Sequence, residues 1–152
     1  MDRRVSIGSP VGPLTLIERD GSIVAVTWSR YDVQGSSPVL DRAIAEVEAY
    51  FAGDLTAFTV PMRIDASAFQ IAVCAAIAAI PFGDTRTYGK IAADLGQSAQ
   101  AVGRACGANP IPILIPCHRV MGARGLTGFS GAGGVDTKVA LLRHEGAAGL
   151  LI

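Results

Sequence analysis

Two reactive side chains stand next to each other in this chain, the thiol of Cys117 and the imidazole of His118. A thiolate is a strong nucleophile, but a free thiol is mostly protonated at neutral pH and needs a base or a positive field to ionise. His118 could be that base. A direct hydrogen bond between the two side chains would need a sharp bend, because neighbouring side chains on an extended segment point to opposite faces. Proton transfer through a water is therefore an equal alternative. A buried structural thiol beside an incidental histidine is the alternative that these two residues leave open.

The segment that leads to this pair is apolar and contains several prolines. Its run of isoleucine and leucine over residues 111–115 predicts a buried strand that ends where Cys117 can meet a substrate. The last predicted helix covers residues 135–145 and stops at Gly146. Glu145, at its end, is a candidate to orient His118 in a nucleophile–base–orienter arrangement. A surface carboxylate is the alternative for Glu145.

Residues 85–108 have the pattern of two short helices joined by a turn. Thr87 or Tyr88 begins the first helix and Gly96 ends it, while small residues form a smooth stripe on the second. This pattern predicts a helix-turn-helix, although any compact helical hairpin would share it. The second helix carries one charge, Arg104, among small side chains, which favours close approach to a minor groove over reading of base edges.

The first 65 residues contain no chemical motif. Alternating apolar positions around Asp20 and Gly21 predict a small antiparallel sheet, and a further short strand is expected over residues 56–64. An apolar stripe predicts a helix over residues 38–51. The sequence therefore predicts an α/β (α+β) fold, with a structural lobe over residues 1–65. A mainly helical lobe, with a short strand leading to Cys117, is expected over residues 66–152.

Composition narrows the class of protein. The chain has no apolar run of membrane-spanning length and no basic-plus-apolar leader, so we expect a soluble cytoplasmic protein without a membrane partner. Its three cysteines fit no disulfide framework and no Cys-x-x-Cys site, which indicates a reducing compartment. Residues 66–152 hold seven basic against four acidic residues. This excess is compatible with a polyanion such as DNA, although a solvated surface is the more common explanation for a charge of this size.

A series of motifs occurs in one order over residues 66–147. They are Phe69-Gln70-x-x-Val73, Ile80-Pro81-x-Gly83, Tyr88-Gly89-x-Ile91-Ala92, Ala101-Val102-Gly103, Asn109-Pro110, Pro116-Cys117-His118-Arg119-Val120, Gly125-Leu126-x-Gly128-Phe129 and Lys138-x-x-Leu141-Leu142-x-x-Glu145-Gly146. Together they resemble the O6-alkylguanine-DNA alkyltransferases, also called methylated-DNA–protein-cysteine methyltransferases. The Pro-Cys-His-Arg-Val core with its preceding Asn-Pro is the most specific part of the resemblance.

The resemblance implies DNA repair by a suicide reaction. Cys117 would accept the alkyl group from an O6-alkylguanine, and O4-alkylthymine is a further possible substrate. His118 would remove the thiol proton through a water, Glu145 would hold the imidazole, and Asn109 would brace the turn that carries the cysteine. No cofactor is implied, because the lesion itself is the alkyl donor, and no metal site is expected from the cysteine and histidine spacing.

The resemblance also implies a partner, double-stranded DNA from which the damaged base is flipped out. Tyr88, backbone groups of Cys117 and Val120, and the loop of Phe129 and Ser130 would surround that base. The implied DNA-contacting residues are Gln100, Ala101, Gly103, Arg104 and Arg119. Gln100 stands where the family usually has an arginine finger, and it lacks the charge and planar fork of arginine. The alternative is therefore a lesion-binding or alkylation-sensing protein; in either case we expect a monomer.

Overall fold

The computed structural model describes residues 2–32, 34–122 and 134–147, which fall into two units, Met1–Asp65 and Ala66–Ile152. Phe129 and Ser130 lie outside the described residues. The described part mixes strands with helices, and the α/β class expected from the sequence is confirmed.

The first unit begins with an antiparallel sheet of three strands. Strand β1 covers Asp2–Ile7, β2 covers Leu14–Arg19 and β3 covers Ser22–Thr27, in the order β1-β2-β3. Asp20 and Gly21 join β2 to β3 with φ angles of 51° and 84°. Positive φ at both positions is what a two-residue hairpin turn requires, and aspartate and glycine tolerate it best.

Helix α1 covers Pro38–Phe51 and packs on this sheet. Ser37 caps it by accepting a hydrogen bond from the Leu40 backbone, as serine commonly does before a helix. The unit's core consists of apolar side chains from the strands and the helix, among them Leu14, Leu16, Ile23, Leu40, Val47 and Tyr50. The strand expected over residues 56–64 is reduced to one parallel bridge between Ile23 and Met62, because only the backbone of Ile23 pairs with this segment.

The second unit is mainly helical, and its helices begin at residues that cap them. Helix α2 covers Ala68–Ala78, α3 covers Tyr88–Leu95 and α4 covers Ala99–Gly107. Ser67, Thr87 and Ser98 each accept a hydrogen bond from a backbone N–H in the first turn that follows. Gly96 ends α3 in the left-handed conformation, which allows α4 to turn back and pack against α3.

The rest of the second unit surrounds Cys117. Strand β4, Arg86–Thr87, pairs in parallel with β5, Val120–Met121. A short 3₁₀ turn, Cys117–Arg119, directly precedes β5. Helix α5 covers Val135–His144 and packs against that turn. Within the described ranges, every helix is too short or too polar to cross a bilayer.

Candidate active site

The segment before Cys117 is a tight buried turn and not the strand expected from its apolar pattern. The Ile115 N–H donates to the Ile111 carbonyl at 2.9 Å, so the chain folds back on itself. Ile113 sits at a φ of 72°, a conformation that β-branched residues rarely adopt. The correction has a simple cause: three prolines within seven residues remove the N–H donors that a strand would need. The short strand follows the cysteine instead of leading to it.

Asn109 holds this turn closed. Its side-chain nitrogen donates to the Ile115 carbonyl at 2.8 Å, and its side-chain oxygen accepts from the Ile111 N–H at 3.0 Å. One amide thus satisfies two backbone groups in a segment that has no ladder to do so. This geometry supports the bracing role that the resemblance implies for Asn109.

Cys117 lies at the start of the 3₁₀ turn and is 7% exposed. Burial raises the pKa of its thiol above the ordinary value, since a thiolate loses solvation there; the Asn109 amide and the Lys138 ammonium oppose this effect. The thiol is therefore protonated at neutral pH. Nucleophilic chemistry at Cys117 consequently needs a base that takes its proton.

His118 and Glu145 form a buried pair. Nε2 of His118 lies 2.8 Å from Oε2 of Glu145, and both side chains are fully buried. Burial lowers the pKa of His118, Glu145 opposes that effect, and the charges of Arg119 and Lys138 add to it. A neutral imidazole next to a carboxylate donates from Nε2, since a carboxylate only accepts. Nδ1, which is buried without a hydrogen-bond partner among the described protein atoms, then carries the basic lone pair.

Arg119 is not at the surface, in contrast to the DNA-contacting role that the resemblance implied. It is 5% exposed, and its Nε and Nη2 donate to the two oxygens of Glu145 at 2.8 and 2.9 Å. Its Nη1 donates to the Ile80 carbonyl at 2.6 Å. The guanidinium is turned inward because Glu145 is buried and needs a counter-charge. The guanidinium is therefore held inside the unit and is not available to contact DNA.

Lys138 is a buried charge that the sequence analysis did not single out. Its residue is fully buried, and Nζ donates to the Val120 carbonyl at 2.6 Å. Burial lowers the pKa of Lys138, while Cys117 and Cys106 oppose that effect. A signal was present in the sequence, because Lys138 and Glu145 share the stripe of α5 that Leu141 and Leu142 bury. Charged residues on the apolar face of a helix indicate a buried cluster of polar groups.

Tyr88 and Val120 lie in the same unit as the thiol. Tyr88 begins α3 and is half-buried; burial, with Cys106 and Cys117 nearby, raises the pKa of its hydroxyl to about 12. It therefore stays protonated and can donate a hydrogen bond. Val120 is fully buried in β5, opposite Arg86 of β4. The loop expected to complete this surface, with Phe129 and Ser130, lies outside the described residues.

Helix α4 carries the predicted DNA-contacting residues on one side. Gln100 and Arg104 are exposed, and Ala101 and Gly103 are partly exposed. A side-chain carbon added at Gly103 would meet no atom within 4 Å, so the helix surface is open there. The opposite side, with Val102, Ala105 and Cys106, is buried. Among residues 2–32, 34–122 and 134–147, no group of three histidine, cysteine or acidic side chains could hold a metal ion.

Known proteins resemble both units. A family model described as 6-O-methylguanine DNA methyltransferase, DNA binding domain, matches residues 68–147. A second, described as 6-O-methylguanine DNA methyltransferase, ribonuclease-like domain, matches residues 4–64.

Individual relatives match over most of their length. The methylated-DNA–protein-cysteine methyltransferase of Mycobacterium tuberculosis is 41% identical over 150 residues, which is 92% of this chain and 90% of the relative. The protein of the same name from Methanosarcina acetivorans is 39% identical over 150 residues, covering 91% of this chain and 95% of the relative. A crystal structure of Mycobacterium tuberculosis OGT in complex with DNA matches with a TM-score of 0.82 at 42% identity, over 93% of this chain and 91% of that one.

Proposed function

The chain belongs to the 6-O-methylguanine DNA methyltransferase family, and we propose that Cys117 is the residue onto which it transfers the alkyl group of O6-alkylguanine in DNA. The chain is an enzyme of DNA repair that works by alkyl transfer. The observation that carries the assignment to Cys117 is the fully buried pair of His118 and Glu145. Its histidine directly follows the buried thiol of Cys117 in the chain.

In the proposed reaction, the Cys117 sulfur forms a bond to the alkyl carbon while the bond from that carbon to O6 breaks. The electron pair of the broken bond stays on the guanine. The thiol proton passes through a water to Nδ1 of His118, and Glu145 stabilises the imidazolium that forms. The hydroxyl of Tyr88 gives the guanine a proton and regains one from solvent. A thioether is a poor leaving group, so each protein molecule acts once.

The positions of the residues around Cys117 support a role for each of them in the reaction. Asn109 fixes the turn that carries the thiol, and the Lys138 ammonium favours ionisation of Cys117. Val120 lies next to that turn, where its N–H donates to the Cys117 carbonyl and its carbonyl accepts from Lys138. Reading of the guanine edge by Val120 therefore remains a prediction from the resemblance. For the alkyl side of the pocket, the loop with Phe129 and Ser130 remains a prediction from the resemblance. No cofactor is part of this proposal, because the lesion supplies the alkyl group.

We propose double-stranded DNA that contains O6-alkylguanine as the substrate, with O4-alkylthymine as a second lesion to test. Residues on the open face of α4 would contact the duplex, namely Gln100, Ala101, Gly103 and Arg104. The damaged base must leave the stack to reach a buried thiol, which requires base flipping. We further propose a monomer that works in the cytoplasm, where a free thiol stays reduced.

Transfer of a radiolabelled methyl group tests this proposal. A duplex with labelled O6-methylguanine is added in increasing amounts, and the label bound to protein is counted. We expect a plateau at one methyl group per molecule. Cys117→Ala should remove the label, while Cys74→Ala and Cys106→Ala, which change the other two buried thiols, should keep it.

Each other outcome has a definite meaning. Label on the Cys117→Ala variant would contradict the assigned nucleophile. Repeated turnover would contradict the suicide mechanism. Tight binding of the lesion duplex by the wild-type protein, without transfer of label, would favour the lesion-binding alternative. The feature that supports this alternative is glutamine, in place of arginine, at position 100.

A further inference from the structure

Arg119 makes more contacts than a counter-charge needs. Nε and Nη2 donate to separate oxygens of Glu145, and Nη1 donates to the carbonyl of Ile80. The guanidinium carbon lies 5.8 Å from the centre of the Phe82 ring, within the range of a cation–π contact. All three nitrogens of a rigid planar group are therefore engaged, which fixes the carboxylate in place and in rotation.

The carboxylate fixed in this way is also the one that holds His118. Oε2 of Glu145 is shared, since it lies 2.8 Å from Nε2 of His118 and 2.9 Å from Nη2 of Arg119. A shared oxygen that already accepts from a cation attracts a second proton less strongly. The imidazole therefore stays neutral while its Nε2 proton is still held, which leaves Nδ1 as the basic nitrogen.

We propose that Arg119 is a positioning residue for alkyl transfer, whose guanidinium sets the orientation and the effective charge of Glu145 so that His118 rests as the neutral Nε2–H tautomer. This proposal deepens the function proposed above and depends on His118 being the base in that reaction. It differs from a purely structural role, because it requires that Arg119 change the proton affinity of His118.

The groups that act on His118 come from each element packed on the 3₁₀ turn. Helix α5 contributes Glu145 and Lys138, and the turn itself contributes Arg119. On helix α2, the one titratable side chain is Cys74. Removing the Arg119 charge leaves a full negative charge on Glu145, so the pKa of His118 should rise by at least about one pH unit.

The test reads His118 directly and does not depend on activity. The chain has two histidines, so ¹⁵N-histidine labelling in a His144→Gln background leaves one imidazole to observe. We expect the Nε2–H tautomer in the parent protein. In Arg119→Met the protonation midpoint should move up by at least about one pH unit, while Arg143→Met, which removes an exposed arginine of α5, should leave it unchanged.

Single-turnover methyl transfer over a range of pH is the second readout. The neutral base is needed, so the rate rises as pH passes upward through the pKa of His118. In Arg119→Met this rise should occur at a pH at least about one unit higher. The ratio of the variant rate to the parent rate is then lowest below the variant's midpoint and recovers in more alkaline buffer. A folded Arg119→Met variant with an unchanged His118 titration would overturn the proposal, as would a rate reduced equally at every pH.

Arg119→Lys covers the case in which the methionine variant does not fold. Lysine keeps the charge but cannot bind both carboxylate oxygens and the Ile80 carbonyl in one plane. We expect its two imidazole nitrogen signals to move toward each other, as the tautomers mix. A parental tautomer and a parental pH–rate profile in Arg119→Lys would overturn the proposal. If the wild-type protein transfers no methyl group, the proposed function fails, and the nitrogen spectra still decide the effect of Arg119 on His118.

Discussion

Both units contain exposed ion pairs among their described residues, but the second unit also holds a pair in which both side chains are buried. In residues 1–65, the side chains of the Arg19–Asp2 and Arg63–Asp65 pairs are each at least a quarter exposed. In the second unit, the Arg119 and Glu145 side chains are 6% and 0% exposed. Exposed pairs contribute little to stability, whereas a buried charge is tolerated only with a partner. The second unit therefore retains a costly arrangement that the first does not need for folding.

Glu18 shows that burial of a charge does not by itself identify a site. This carboxylate of the first unit is 5% exposed. A hydrogen bond from the side chain of Ser37 lowers its pKa, and the Gly21 N–H adds to that effect. Its hydrogen-bond partners are a hydroxyl and a turn amide, which close the hairpin and the helix cap, and the exposed guanidinium of Arg3 lies 3.9 Å away. Glu145 differs in that its partner is an imidazole next to a thiol.

The largest effect is expected from Glu145→Gln. The substitution leaves the Arg119 guanidinium buried opposite a neutral amide, which should lower the free energy of unfolding by about 3–5 kcal/mol and abolish transfer at neutral pH. Asp65→Asn, at an exposed pair of the first unit, is the matched control. Thermal unfolding followed by circular dichroism measures both, and similar losses of stability would remove the contrast between the two units.

Lys138→Met is expected to act on the reaction more than on the fold. Methionine fills the space of the lysine stem, but the ammonium that favours the Cys117 thiolate is lost, so transfer should slow about tenfold. Arg143→Met on the exposed side of α5 serves as control. Single-turnover rates on an O6-methylguanine duplex provide the measurement, and a wild-type rate in Lys138→Met would exclude an electrostatic role for this residue.

Mild acid should lower the stability of the second unit more than that of the first. Burial lowers the pKa of His118 below its ordinary 6.5, so below that pH the unfolded chain binds a proton that the folded chain refuses. The second unit should lose up to about 1.4 kcal/mol per pH unit as pH falls from 6.5 toward 5. Residues 1–65 contain no histidine. Hydrogen exchange measures the stability of each unit as a function of pH. If a His118→Gln variant keeps the same acid sensitivity, His118 is not its cause.

Gln100→Arg should have the smallest effect. An arginine on the open face of α4 adds one positive charge, which should tighten binding to a lesion duplex a few-fold and steepen its salt dependence by about one. Ala75→Arg, on an exposed position of α2, controls for charge alone. Equal gains from both variants would show that position 100 has no special contact with DNA.

Much of the local structure follows from the sequence. Ser37, Ser67, Thr87 and Ser98 precede their helices by the distance that capping requires, and Asp20 and Gly21 form the expected hairpin turn. These features depend on residues within one turn of each other. Local chemistry therefore predicts them without knowledge of the rest of the chain.

The two differences near the site have different causes, one within the segment and one far along the chain. An apolar run reports burial but does not distinguish a strand from a folded turn, and the Asn109 amide that closes residues 109–116 bonds across six residues. The inward position of Arg119 depends on Glu145, 26 residues later. A basic residue beside an active cysteine resembles a DNA contact until the carboxylate that pairs with it is located.

The central claim is that alkyl transfer ends at one of three buried thiols, that of Cys117. The most direct measurement is tandem mass spectrometry of tryptic peptides after the protein reacts with an excess of O6-methylguanine duplex. Cys106 and Cys117 share the tryptic peptide 105–119, so the fragments of that peptide locate the methyl group. We expect one added methyl group on Cys117, with Cys74 and Cys106 unmodified. A methyl group on either of those two cysteines, with Cys117 unmodified, would contradict the account.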